Sequence, residues 1–314
     1  MFKPMYCALP FIATLVLTAG SVAAQDTPPM AVYAAASAST FEAMIDKVSQ
    51  ADVVFVGEEH DNGPGHEAEL AILTALVGKN ARTALSMEMF ERDVQLVLDE
   101  YLSGAITESA FLQASRPWPN YKTDYRPMVE LCREHGLPVV AANAPRRYVN
   151  IVSRKGQPAL QDLPRMSRSY LTPLPYSMEL PKGYDDALNA VLGEAHGGGA
   201  TSTPTTSQGS AAPAMPSLDN MKQAQALWDS TMADSIVRFT RGHRGVHVMQ
   251  VNGSMHSDHG FGIVDRLRHA APRLKIAVVT IRPDAKYPNT DTSDFADLAD
   301  FVVVTPVGAE HAKQ

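Results

Sequence analysis

Val53-Val-Phe-Val-Gly-Glu-Glu-His-Asp-Asn-Gly-Pro-Gly-His66 is the stretch that decides the fold. An unbroken apolar run, Val53–Val56, passes directly into a turn of carboxylates, histidine, glycine and proline. A run of this kind reads as a strand buried on both faces, because a half-exposed strand would alternate with polar residues. Behind the turn, Glu67–Val77 has helical spacing. Outward from this unit the pattern repeats. Val139–Ala142, Val246–Val251 and Ile276–Ile281 are equally clear runs, Ala81–Met87 is a fifth and Phe301–Val304 a sixth. Asp93–Leu102 and Tyr125–His135 supply helix-period segments between them. Continuous apolar strands alternating with helices predict an α/β protein with a mostly parallel open sheet and flanking helices.

The alternation stops between about Gly156 and Ser217. Residues Asp162–Pro181 are rich in Pro and Tyr, Asp185–Glu194 reads as a short helix, and Gly197–Pro216 is a Gly/Ser/Thr/Pro/Ala tract. Such a tract has too little apolar surface to offset its ordering entropy, so residues 197–216 are expected to be a disordered loop. Helical spacing resumes from Leu218 through Met221, Ala224, Trp228, Met232, Ile236 and Phe239. The expected organisation is therefore a sheet domain built from residues 31–150 and 218–310, with a small helical cap at 151–217.

Residues 1–24 have the three parts of a signal peptide: Lys3, the apolar run Leu9–Ala19, and small residues Val22-Ala-Ala24 before Gln25. That run is short for a membrane span. Cys7 precedes it, whereas a lipoprotein cysteine would come after it. A periplasmic or secreted product without a lipid anchor or membrane span is expected. The formal net charge of −7 disfavours a nucleic-acid or anionic-membrane surface. After cleavage only Cys132 of the 2 cysteines remains, which excludes an internal disulfide. Stability must come from burial.

The residues just beyond each run carry the chemistry. Glu58, Glu59, His60 and His66 come after Val53–Val56, Glu88 after Ala81–Met87, and Asn143, Arg146 and Arg147 after Val139–Ala142. Ser254, His256, Asp258 and His259 come after Val246–Val251, and Arg282 and Asp284 after Ile276–Ile281. The carboxyl ends of parallel strands share one edge, and ligands bind in the crevice there. Glu58, His60, Glu88 and His256 are thus the candidate crevice residues, for catalysis or for a divalent metal. Each also has a structural alternative: capping and bracing for Glu58 and His60, backbone satisfaction for Asn143, solvation for the two arginines. His135, His196, His243, His247, His269 and His311 read as surface or linker residues. Tyr121 and Tyr125, beside Trp118, are expected to pack the cap against the sheet.

Five segments together carry a resemblance: Val56-Gly-Glu-Glu-His-Asp-Asn-Gly-Pro-Gly-His66, Met87-Glu-Met-Phe-Glu-Arg-Asp93, Ala141-Ala-Asn-Ala-Pro-Arg146, Gln225-Ala-Leu-Trp-Asp-Ser-Thr-Met-Ala233 and Gly253-Ser-Met-His256. In order and spacing, over roughly residues 40 to 305, they resemble the ChaN-like haem-binding uptake family. Gly57-Glu-Glu-His60 and Gly253-Ser-Met-His256 form the paired G-x-x-H signature of its wider superfamily, which includes the Tiki/TraB proteases and is similar to erythromycin esterases. The resemblance implies a parallel α/β domain with a small cap, and haem as cofactor, often held between two copies in a homodimer. It also implies iron acquisition outside the cytoplasm, with a haem-uptake receptor as a further expected partner, and a tyrosine ligand to the iron. The candidate phenols in the cap are Tyr184, Tyr176 and Tyr170, with Arg146 and Arg147 available to offset propionate charge. The sequence lacks the lipobox common in the family.

Two functions of different class are compatible with these residues. One is an exported haem-binding protein in haem or iron handling. The other is a metal-dependent or His/Glu-assisted hydrolase using the paired G-x-x-H crevice, since two histidines with carboxylates hold a divalent ion or activate water. A partner protein with a vestigial site is a third. Whether the crevice is catalytic stays open at this level.

Overall fold

The computed structural model describes residues 27–197 and 216–308. The tract at 197–216 and the leader at 1–24, apart from Gly197 and Pro216, lie outside the described residues, as does His311. Among the described residues eight strands occur in chain order: β1 (Ala31–Ala34), β2 (Ser37–Ser39), β3 (Val53–Glu58), β4 (Thr83–Glu91), β5 (Val139–Asn143), β6 (His247–Gly253), β7 (Ile276–Asp284) and β8 (Phe301–Pro306). The α-helices among the described residues are α1 (Phe41–Val48), α2 (Gly63–Lys79), α3 (Gln95–Leu102), α4 (Glu108–Ser115), α5 (Arg126–His135), α6 (Arg146–Lys155), α7 (Arg165–Ser169), α8 (Lys182–Gly197), α9 (Leu218–Gly242) and α10 (Gly262–Ala270).

The strands form one sheet in the order β2-β1-β8-β7-β3-β6-β4-β5. From β8 to β5 every pairing is parallel, and only the β1–β2 hairpin, laid on β8, is antiparallel. All six apolar runs form strands. The hairpin gives no such signal in the sequence, because Ala31-Val-Tyr-Ala and Ser37-Ala-Ser are short, small-residue edge strands with no apolar run. His247, expected at the surface, is the first residue of β6 and its ring lies 2.7 Å from the Ala51 carbonyl oxygen.

Strand alternation explains the continuous apolar runs. Val54 and Val56 enter one core with Leu85, Met87, Met249 and Val251, beneath α1, α2 and α5. Val53 and Phe55 point to the opposite face and pack on Met232, Ile236 and Ile263 of α9 and α10. A third cluster joins α6 and the segment after it to α9 through Tyr148, Val152, Leu160, Leu171, Tyr176 and Leu227. Removing apolar area from water at roughly 25 cal/mol per Å2 makes these faces the main source of stability. Local signals set the helix ends. Ser217 accepts from the Asn220 backbone N–H (3.2 Å) at the start of α9, and Gly136, with φ +63°, terminates α5.

The segment expected to form the cap carries α7 and α8, and α8 runs longer than the predicted Asp185–Glu194. Arg92, just after β4, ties this segment to α9. Its half-buried guanidinium donates to the Leu171 carbonyl (3.0 Å), the Thr231 carbonyl (2.7 Å), Asp234 (3.0 Å) and Ser235 Oγ. Tyr121 and Tyr125 do not pack the cap. They belong to the α2/α5 side, Tyr121 against Phe90 and Phe111 and Tyr125 against His66 and Trp118. Among the described residues no helix is long and apolar enough to cross a membrane.

Candidate functional site

Strand register brings the polar groups together. Glu58 on β3 pairs with Gly253 on β6, and Met87 on β4 pairs with Val251 on the other edge of β6. Glu58 and Gly253 therefore lie level on adjacent strands, with Glu88 within one residue of that level on β4. The β4 strand continues to Glu91, so Glu88 sits inside a strand and not at its end.

The two G-x-x-H motifs interlock. A Cβ on Gly253 would lie 2.9 Å from the His60 ring, and one on Gly57 would lie 2.8 Å from Ser257 Oγ and 3.0 Å from Ser254 Cα. Each glycine thus makes room for the other motif, which is the physical reason the chemistry needs glycine at both positions. The Glu88 carboxylate accepts from the Gly253 backbone N–H (2.8 Å), and its other oxygen lies 3.6 Å from His256 Nε2. His60 and His256 therefore flank Glu88 over a glycine floor. Of the four crevice candidates, Glu58, Glu88 and His256 are buried, and the His60 side chain is 44% exposed, so it forms the open edge. His60 stacks edge-on against Trp118.

Each histidine has its own buried partners. His60 Nδ1 lies 2.7 Å from Glu58 Oε1, which also accepts from the Tyr125 hydroxyl (2.8 Å). His256 Nδ1 lies 2.5 Å from Asp229 Oδ1 on α9; Asp229 Oδ2 accepts from the Tyr184 hydroxyl (2.8 Å), and Gln225 donates to that hydroxyl (3.0 Å). Burial opposes the charge on His256, but Glu88 and Asp229 outweigh it and push its pKa up to about 9. His60 is also shifted upward: burial opposes its charge, and Glu58 and Glu88 overcome that. Burial would raise Glu58, yet the neighbouring His60 and His66 hold it well below the usual carboxylate range. Both histidines are thus shifted toward the imidazolium form beside Glu88, an arrangement suited to gripping an oxyanion or passing a proton.

On the far side of Glu58 stands a second buried group. His66 and Glu69, both on α2, lie with Glu58 so that one ligand-type atom from each falls within 4.8 Å of the others. Among the described residues this is the group that converges so closely, and His60, Glu88 and His256 do not form one. Beyond His256, Arg282 at the end of β7 donates to Ser254 Oγ (2.8 Å) and pairs with Asp258.

The remaining candidates lie apart. Tyr184 is buried behind His256, and burial followed by the Asp229 charge drives its pKa far above that of a free phenol. Tyr176 is buried and donates to the Gln223 carbonyl (2.9 Å). Arg147 is bound to Asp93 (2.6 Å) and lies over the Tyr148 ring, and Arg146 is exposed. Asn143 Oδ1 accepts from the Ala144 N–H (2.8 Å), its structural alternative. His259 is exposed, its ring 2.9 Å from the Asp297 carbonyl. Sequence reasoning does not single out Asp229, Gln225, Tyr125 or Glu69 as site residues. A signal is present for two of them: Gln225 and Asp229 are polar residues four apart on the helix face that also carries Trp228 and Met232.

An open parallel sheet with paired G-x-x-H turns at its carboxyl edge defines the class of the protein, and comparison gives the family. Residues 44–267 match the haem-binding uptake family of the Tiki superfamily, ChaN, so the chain belongs to that family. In fold it is similar to ChaN of Campylobacter jejuni, a structure described as binding haem cofacially. The TM-score is 0.63 at 19% identity, covering 87% of this chain and 96% of that one. An erythromycin esterase mutant in its open conformation aligns with a TM-score of 0.45 at 14% identity, over 85% of this chain and 79% of that one. A curated relative, Protein RETICULATA-RELATED 5, chloroplastic, of Arabidopsis thaliana, is 22% identical over 253 residues, 77% of this chain. The chain spans about a third (32%) of that relative's length.

Proposed function

We propose that this chain is an exported haem-binding protein that acts in haem or iron acquisition outside the cytoplasm, with haem held on the cap between two copies. The observation that carries the reading is the family match across residues 44–267. The donor set of the cap supports a phenolate ligand but redirects the choice among the phenols. The hydroxyls of Tyr184 and Tyr176 are already committed to Asp229 and to the Gln223 carbonyl. Tyr170 is half-buried, and its hydroxyl makes no hydrogen bond with the described residues. It lies one turn beyond Met166, which is 70% exposed, so an apolar side chain and a phenol share one face. A phenolate stabilises ferric iron, and Arg146 is the arginine of the expected pair that has no ion-pair partner among the described residues, which suits it to a propionate. Export and maturation at Gln25 belong to the same reading, as do the homodimer and an uptake receptor.

The test is a ferric haem titration of the mature protein, followed by absorbance. A high-spin spectrum with an oxygen-ligand charge-transfer band is expected in the wild type, in Tyr184→Phe and in Tyr176→Phe, and its loss in Tyr170→Phe. Loss in Tyr184→Phe instead would return the ligand to the buried phenol. No binding at micromolar haem would remove the reading. A hydrolase is the second reading, favoured by one observation: His60 and His256 flank Glu88 at an open edge, where neither haem face nor cap is needed.

A further inference from the structure

The buried Glu58–His66–Glu69 group is not used by haem binding, and the crevice touches only one oxygen of it. Glu58 Oε1 holds His60 and Tyr125, and Oε2 points the other way, 3.0 Å from His66 Nδ1. His66 Nδ1 is also 3.2 Å from Glu69 Oε2. All three side chains are almost fully buried, at 2%, 4% and 0% exposure. Yet Glu58 Oε2 and Glu69 Oε1 find no donor in hydrogen-bonding geometry. A buried carboxylate oxygen without a donor is costly, and two of them in one buried group point to a cation as their partner.

Two further features fit a metal. The other ring nitrogen of His66 lies 3.2 Å from the His60 carbonyl oxygen and 3.6 Å from Asp124, whose carboxylate is held by Asn120 (2.8 Å). A carbonyl only accepts, so it fixes a proton on Nε2 and aims Nδ1 at the two carboxylates, where a metal ion would replace the proton that Nδ1 otherwise donates to them, as metal-binding histidines are held. Bonds of about 2.0–2.2 Å in a tetrahedron place neighbouring ligand atoms roughly 3.3–3.5 Å apart. The separations of 3.0 and 3.2 Å are a small adjustment from that.

We infer that Glu58 Oε2, His66 Nδ1 and Glu69 bind one divalent transition-metal ion such as Zn2+, behind the crevice rather than in it. The site is structural in consequence: by fixing one oxygen of Glu58 it sets the other, and so orients His60 at the open edge. It is independent of the haem reading, since none of its ligands lies in the cap.

The experiment uses the metal-stripped mature protein titrated with Co2+, with Zn2+ as competitor. One equivalent is expected, giving the intense visible bands of low-coordinate cobalt that Zn2+ abolishes. Glu69→Gln, isosteric with the wild type, should weaken binding at least tenfold, while His256→Ala should leave it within about twofold. X-ray absorption of the zinc-loaded wild type keeps the test valid even where Glu69→Gln fails to fold: one imidazole is expected in the first shell. Two imidazoles, or binding lost in His256→Ala and retained in Glu69→Gln, would move the ion to the crevice and overturn the assignment. Absence of any stoichiometric ion would leave the group as a proton-holding ion pair and equally overturn it.

Discussion

Asp229→Asn changes one buried atom type and little volume, which makes it a clean probe of how the crevice is held. Asp229 is fully buried, contacts His256 Nδ1 at 2.5 Å and accepts the Tyr184 hydroxyl. An asparagine can still accept from Tyr184, but it removes the negative charge that keeps His256 protonated. Raising His256 from its ordinary value near 6.5 to about 9 corresponds to about 3 kcal/mol at 1.36 kcal/mol per pKa unit. Because the folded pKa lies above the unfolded one, that stabilisation is fully present below pH 6.5 and is lost as pH rises through 9. Part of it comes from Glu88 and survives the substitution. The variant should therefore be less stable by about 2 kcal/mol at pH 6, from the Asp229 share, and the deficit should shrink as pH rises toward 9 and be gone above it. Urea unfolding of both proteins at pH 6, 8 and 10, followed by circular dichroism, measures it. A deficit that does not change with pH would refute the argument, because the loss would then be one of packing or hydrogen bonding and not of charge. Equal stability at pH 6 would refute it as well.

Two other substitutions test the scaffold. Gly262, at φ +50°, has no room for a Cβ, which would lie 2.5 Å from the His256 carbonyl oxygen, so Gly262→Ala should cost about 3 kcal/mol of unfolding free energy and displace His256. An unchanged urea midpoint would show that the loop relaxes freely. Arg92→Met removes the guanidinium shared by Leu171, Thr231, Asp234 and Ser235, leaving Asp234 with Arg238 alone. A loss of about 3 kcal/mol is expected, with faster proteolysis between α7 and α9, read by mass spectrometry; uniform destabilisation without new cuts there would mean that Arg92 does not hold the cap.

The apolar runs and the polar turns behind them were legible because both are local signals. Val53–Val56 is continuous since its two faces enter two different cores, and any strand so placed must show that pattern. The convergence of Glu58, Glu88 and His256 was legible too, since parallel strands necessarily align their carboxyl ends. The helix spacing around α9 announced a buried face. What it left unsaid was that Asp229 on that face meets His256, because the pairing depends on how α9 crosses β6.

Tertiary structure alone decided the rest. A carboxylate has two oxygens, and only packing determines that one oxygen of Glu58 serves His60 and Tyr125 while the other turns toward His66 and Glu69. The same holds for the phenols of the cap: Tyr184, Tyr176 and Tyr170 are equivalent as letters, and only packing gives the first two hydroxyls their partners, Asp229 and the Gln223 carbonyl. Hydrophobic periodicity records which face of an element is covered, through a transfer free energy that each residue carries with it. Hydrogen-bond partnership is a property of pairs brought within about 3 Å by register and crossing angle, so no single stretch of the chain encodes it.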